Sequence, residues 1–242
     1  MKKYKLVACE VLRDEIEWLL RSAPAGILYS IDWLEIGLHD DPANLRRELE
    51  RRIRACGADG YAAILLSFGL CGRATEGLSP PSGTILVQPN VHDCRALCLG
   101  SDARFREEHE KEPGTLYFNR GFLTGSGERG GFGGLGASGR FVTDENGNRR
   151  TPEQIREQFV EEYGEDGAAY LMETLFESWK KNYARAVLLD WPGNPRREAD
   201  AACVKQYAAG NNWDFVTLAM DFRLLENLLY GRWNEDEFRV VR

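Results

Sequence analysis

Short apolar runs alternate with helically spaced apolar positions along the first part of the chain. Tyr4–Cys9 reads as a first strand, and Ile16, Leu19 and Leu20 follow it at helical spacing. Gly26–Ile31 reads as a second strand. The next helix carries its own punctuation, with Asp41 at the N-cap, Pro42 at the first helical position and Gly57 just beyond the end. Its apolar stripe is Leu45, Leu49, Ile53 and Cys56. Ala62–Phe68 is apolar almost without interruption, the pattern of a strand covered on both faces. Thr84–Gln88 predicts a fourth strand, and a helical stretch runs from Leu97 to Phe105.

Further along, Thr151-Pro152-Glu153-Gln154 has the form of a capping box, and a second amphipathic stretch spans about residues 167 to 182. Ala186–Asp190 and Phe215–Met220 read as buried strands around a helix at Ala199–Tyr207. A short helix at Phe222–Tyr230 and an edge strand at Phe238–Val241 close the chain. Strands alternating with helices predict an α/β fold with a mostly parallel sheet covered by helices on both faces. The expected organisation is a first α/β lobe over residues 1–122, a glycine-rich insertion or lid over 123–150, and a helical segment with a second α/β lobe over 151–242. The alternative is two halves of one sheet; either way, a ligand is expected in a cleft between them.

Residues 125 to 139 hold eight glycines in fifteen positions. No G-x-G-x-x-G fingerprint follows a buried strand there, which argues against a dinucleotide site. A lid or a plain insertion fits better than a phosphate cradle.

Composition narrows the class. The chain has 242 residues, 31 Lys and Arg against 38 Asp and Glu, and a net charge of −7. That balance speaks against nucleic-acid binding, which depends on clustered cations. With 43% hydrophobic and 11% aromatic residues the chain has enough apolar surface to fold. No apolar run approaches the ~20 residues of a membrane helix. The opening Met1-Lys2-Lys3 precedes only a short apolar stretch, unlike a secretory leader. Six cysteines then read as thiols of a cytoplasmic protein rather than a disulfide framework.

The unusual residues fall at predicted strand ends. Cys9 ends the first strand, Cys71 follows the third within Ser67-Phe68-Gly69-Leu70-Cys71-Gly72, and His92-Asp93-Cys94 follows the fourth. In a parallel sheet these are carboxyl ends, so the segments should share one rim. Thiolate and imidazole ligands suit zinc, with Cys9, Cys71, His92 and Cys94 as the ligand set. In an extended segment His92 and Cys94 would point to one face, with Asp93 turned away or orienting a ligand from behind. Gly69 and Gly72 permit close backbone approach. His39 with Asp40 either reaches the same rim or caps the following helix. Cys56 and Cys203 read as core residues on helical stripes, and Cys98 as core or as a member of the site. His109 falls on a solvated charged face. Asp190 and Asp221 end later strands, and Asp221 with Arg223 would bind polar substrate groups or cap a helix.

The segments Ala8-Cys9-Glu10-Val11-Leu12, Gly37-Leu38-His39-Asp40, Ser67–Gly72 and His92-Asp93-Cys94 with Leu99-Gly100-Ser101 carry a resemblance. Pro113–Tyr117, Tyr170–Thr174 and Asp221–Leu225 extend it over nearly the whole chain. Together they resemble an uncharacterised domain-of-unknown-function family, family 1638, found near corrinoid-dependent methyltransferase genes in anaerobes. The glycine-rich insertion departs from that family's pattern. The resemblance implies a cytoplasmic protein linked to one-carbon or corrinoid metabolism, without specifying a reaction. The H-x-C pair with a distant Cys is also similar to the zinc ligands of cobalamin-dependent thiol methyltransferases, at the site only.

The expectation is thus a zinc-thiolate enzyme activating a thiol or water, acting on a small-molecule substrate in methyl or one-carbon transfer. One alternative is a protein that handles a corrinoid, an iron–sulfur cluster or a metal for a corrinoid methyltransferase partner. Another is a metal-free enzyme with Cys71 or Cys94 as nucleophile and His92 as base.

Overall fold

The computed structural model describes residues 1–124 and 150–242. The expected lid thus lies almost wholly outside the described residues. Eight strands form two sheets. β1 (Lys2–Cys9), β2 (Ile27–Leu34), β3 (Ala63–Ser67), β4 (Ile85–Pro89) and β8 (Phe238–Val241) make the first, in the order β2-β1-β3-β4-β8. β5 (Thr115–Phe118), β6 (Arg185–Asp190) and β7 (Asp214–Ala219) make the second, all parallel. The fold is mixed α/β with mostly parallel pairing; only β8 runs antiparallel, against β4.

Each helix starts where local chemistry allows it. α1 is Arg13–Leu20 and α2 is Pro42–Ala55; the Asp41 carboxylate caps α2 by accepting from Ala43 N and Asn44 N. The helix expected across Leu97 to Phe105 is two, α3 (Cys94–Leu99) and α4 (Asp102–Lys111). Gly100 breaks it at φ +80° and Ser101 caps the second piece. A short α5 (Arg120–Thr124) follows β5. The capping box at Thr151 opens α6 (Pro152–Met172), which Gly164, at φ +73°, interrupts; only the start of the second expected amphipathic helix falls in α6, and the rest is a π-helical turn (Glu173–Glu177) and a 3-10 turn (Ser178–Asn182). α7 (Arg197–Gly210) and α8 (Arg223–Leu229) complete the set.

One strand was not among those expected: β5 has only four residues after a Pro-Gly pair, too short to show a period. Strand pairing reaches far along the chain. β5, from residues 1–122, pairs with β6, whereas β8, from the far end, covers the edge of β4. Closing an open edge with a distant strand satisfies backbone groups that sequence neighbours leave unpaired.

The core joins both sheets. Leu6, Val7, Leu65 and Leu66 from the first and Val187, Leu189 and Trp191 from the second belong to one buried cluster. All five residues of β3 are buried, as its unbroken apolar run demands. The sheets approach through their carboxyl ends. Asn119, just after β5, donates from Nδ2 to the Val11 carbonyl at 2.6 Å. Asp221, just after β7, donates its N–H to the Cys98 carbonyl at 2.9 Å. Gly121 lies so close that a Cβ would fall 2.1 Å from the Val11 oxygen.

Gly121→Ala should therefore destabilise the protein by about 2 kcal/mol or more, because backbone on the opposing loop must move. Gly210→Ala, with nothing within 4 Å of the added Cβ, should stay within about 0.5 kcal/mol of the parent or stabilise it slightly. Urea unfolding of the two variants checks the contrast.

Candidate functional site

In the first sheet the connection from β1 leads outward to β2, and the connection from β3 leads the other way to β4. Loops that diverge at the carboxyl ends of neighbouring parallel strands leave a crevice between them, the usual ligand position in open α/β sheets. Cys9 is the last residue of β1, and Cys71 lies four residues beyond β3, so the two flank this crevice.

The Cys71 loop is held against the Cys94 loop backbone to backbone. Leu70 N–H donates to the Val91 carbonyl (2.9 Å) and Cys71 N–H to the His92 carbonyl (3.0 Å). A Cβ on Gly69 would lie 2.6 Å from Asp93 N and Cα and 2.7 Å from the Val91 oxygen, so only glycine permits this approach. The Gly69 carbonyl accepts from Gln88 Nε2 (3.0 Å) and Thr75 Oγ1 (3.2 Å), both buried. Cys71, Gly72 and Arg73 then take φ of +45°, +66° and +69° in succession. Two non-glycine residues in that region mark stored strain.

All six cysteines are thiols. Burial raises the Cys71 thiol to about 12, helped by the neighbouring Cys9 and Asp93. Burial also raises Cys94 well above the ordinary thiol range, with Asp93, Cys71 and Cys9 adding to it. Cys98, four residues after Cys94 on α3, is raised by burial and then by Cys94, Glu15, Asp93 and Cys9. Cys9 and Cys94 therefore lie within electrostatic reach of each other and of both Cys71 and Cys98. Among the described residues, however, no group of three or more His, Cys, Asp or Glu side chains stands arranged to hold a metal ion.

The other expected residues divide. Cys94 opens a helix instead of continuing an extended segment, so the same-face argument for His92 and Cys94 does not apply, and His92 is exposed. Asp93 caps α3 through Arg95 N (2.8 Å) and Ala96 N (3.1 Å). Burial opposes its ionisation, but the Arg95 guanidinium overcomes this and holds its carboxyl below the usual range. His39 is exposed and lies 3.6 Å from Asp40. Gly72 sits over Pro42 at the start of α2. Asp221 Oδ1 accepts from Arg223 N (2.9 Å), and Arg223 donates to the Gly100 carbonyl (2.9 Å) and pairs with Glu237. These two residues fasten the second sheet to the α3–α4 corner. Asp190 accepts from Asn194 and pairs with Arg197 at 2.6 Å. Cys56 is buried as expected. Cys203 is exposed, because the buried stripe of α7 runs through Asp200, Val204 and Ala208, one position away.

A family profile described as "Protein of unknown function (DUF1638)" matches residues 33–229. The chain belongs to this family. No curated protein and no solved structure matches it.

One residue of this DUF1638 chain that sequence reasoning passed over is Glu15. It falls with Leu12, Ile16 and Leu19 on the buried side of α1 and its approach, and is 0% exposed. That placement on an apolar stripe was the available signal. Asn119 Nδ2 donates to its Oε1 at 3.1 Å, and Oε2 has no hydrogen-bond partner. Burial lifts its pKa to about 8; a hydrogen bond from its own backbone N–H opposes this, Asp14 adds to it, and Asn119 and Arg120 oppose it more weakly.

Glu15 gives the DUF1638 protein a pH signature. Between its unfolded value of 4.5 and about 8, the folded state keeps a proton that the unfolded state releases. Stability due to this group is complete below the lower value and falls as pH rises to the upper one, by up to about 1.4 kcal/mol per pH unit. Glu15→Gln should remove that slope, so that the variant gains on the parent from pH 5 to pH 8 in denaturant titrations.

Proposed function

We propose that this protein is a metal-thiolate enzyme in which Cys9, Cys71 and Cys94 take a soft or borderline metal ion, zinc foremost, in the β1/β3 crevice. The observation that carries the reading is the convergence of these three thiols at the carboxyl ends of β1, β3 and β4, where Cys71 and Cys94 are pushed up first by burial and further by Asp93 and neighbouring sulfurs. Sulfur donors of this number suit zinc with one position left open, and His92, on the Cys94 loop, is the histidine nearest in sequence to complete the set. Zinc bound there would hold a substrate thiol or a water as a nucleophile at neutral pH.

Charge supports the metal over a bare nucleophile. Cys71 and Cys94 are protonated at neutral pH, and the cation that opposes this, Arg95, is tied to Asp93 through Nε–Oδ2 at 2.9 Å. Ionising these thiols takes a positive charge that the chain does not bring to them, and a metal ion is such a charge. Loading would draw the sulfurs together, and the strained Cys71–Gly72–Arg73 turn is the segment with conformational energy to release. Methyl or one-carbon transfer within a cytoplasmic corrinoid system, with a small-molecule substrate or a methyltransferase partner, is the metabolic setting we propose.

A second reading has one observation of its own: Cys98 adds a fourth thiol, the complement of an iron–sulfur cluster. The protein would then handle a cofactor, cluster or corrinoid, for a partner without turnover.

Protein purified anaerobically should contain stoichiometric zinc without visible absorption, and Cys71→Ser and Cys94→Ser should each lower metal content at least several-fold. Unchanged metal in both variants would overturn the assignment. A visible chromophore would move it to the cofactor-handling reading, and metal-free protein would defeat both.

A further inference from the structure

We infer that the outer edge of β2 is a self-association surface, on which β2 of a second copy of this chain pairs antiparallel about a two-fold axis through Ile31. The inference stands apart from the thiol site and requires no metal.

The backbone sets the edge. Lys2 N–H donates to the Gly26 carbonyl at 2.8 Å, and Lys2 pairs with Ile27 in the parallel register of β1 and β2. In a parallel ladder each residue turns both backbone groups to one side and the next residue turns them to the other. The even-numbered residues of β2 therefore serve β1, and Ile27, Tyr29, Ile31 and Trp33 turn theirs outward. β2 is the last strand on its side of the sheet, and none of these outward groups has a hydrogen-bond partner among the described residues.

Among the described residues β2 is also the longest edge strand, with eight residues against four in β8, four in β5 and six in β7. The usual protections of an edge are missing, for β2 holds no proline and no lysine, and its register with β1 runs without a bulge. Its one charge, Asp32, is neutralised from within the chain by Lys5 at 2.6 Å and Arg52 at 3.3 Å. Leu28 stands 50% exposed on it. An apolar strand with a row of open backbone groups is a template for another strand.

The register is what seats a second copy there. Outward residues must meet outward residues, so a two-fold axis that keeps most of the strand paired passes through Ser30, Ile31 or Asp32. Centred on Asp32, two carboxylates would face each other. Centred on Ser30, each Asp32 would face the apolar Leu28 of the other copy. Centred on Ile31, Tyr29 faces Trp33, Ile31 faces its own counterpart, Leu28 faces Leu34 and Ser30 faces Asp32. Apolar then meets apolar, and hydroxyl meets carboxylate. This register closes about six main-chain hydrogen bonds between the copies. It joins two five-stranded sheets into one continuous sheet and leaves neither β2 edge open to a third chain.

Sedimentation and residue-resolved hydrogen exchange on the full chain test this. At submillimolar concentration the protein should sediment as a dimer, with the amides of Tyr29, Ile31 and Trp33 protected from exchange. Ile31→Pro removes a donor that the β1 ladder does not use. It should leave the amides of that ladder protected, weaken the dimer roughly tenfold or more, and release Tyr29 and Trp33 to exchange. A monomer at that concentration would overturn the inference, as would a dimer whose three outward amides exchange freely, or an Ile31→Pro variant that dimerises like the parent. Protected outward amides in a monomer would assign the edge to another part of the chain and overturn it equally. Where Ile31→Pro fails to fold, the parent's mass and exchange pattern decide.

Discussion

Two backbone hydrogen bonds, from Leu70 and Cys71 to the carbonyls of Val91 and His92, are the constraint on which the site depends. They extend the pairing of β3 and β4 beyond the strands and bring one loop's backbone onto the other's. That approach is possible because Gly69 has no side chain. Its cost appears two and four residues on, where Cys71 and Arg73 are held in left-handed conformations. The buried Gln88–Thr75 pair, both hydrogen-bonded to the Gly69 carbonyl, resists relaxation of that strain. Loosen this junction and Cys71 leaves Cys94.

Around the junction the dominant electrostatic fact is burial without cations. Arginines are plentiful nearby, but each is spoken for: Arg95 by Asp93, Arg120 by Asp200, Arg223 by Glu237. Cys71, Cys94, Cys98 and Glu15 consequently keep their protons at neutral pH. A protein interior arranged this way stores protons on sulfur and oxygen, and it exchanges them when a cation or an acceptor arrives. The proposed metal loading is a consequence of this charge deficit.

The seam between the sheets explains why these groups meet. The carboxyl ends of β5 and β7 close over those of β1 and β4 through Asn119, Gly121 and Asp221. Glu15 and Cys98 are both buried at this seam, where Asn119 donates to the Glu15 carboxyl and Asp221 N–H to the Cys98 carbonyl.

Much of this was legible in the chain. Helix caps at Asp41 and Thr151, the unbroken apolar run of β3, and the placement of Cys9, Cys71 and Cys94 at strand ends all follow from local rules, because capping, periodicity and strand-end position are properties of neighbouring residues. Tertiary structure alone decided the rest. The pairing of β8 with β4 and of β5 with β6 depends on which edges remain open once the sheets form. The exposure of His92 depends on Cys94 beginning a helix, which the cap at Asp93 brings about. The proton on Glu15 depends on its burial by the folded chain, and on an Arg120 already engaged with Asp200. A pKa is set by the solvent and charges that surround a group, and those are supplied by the folded chain as a whole.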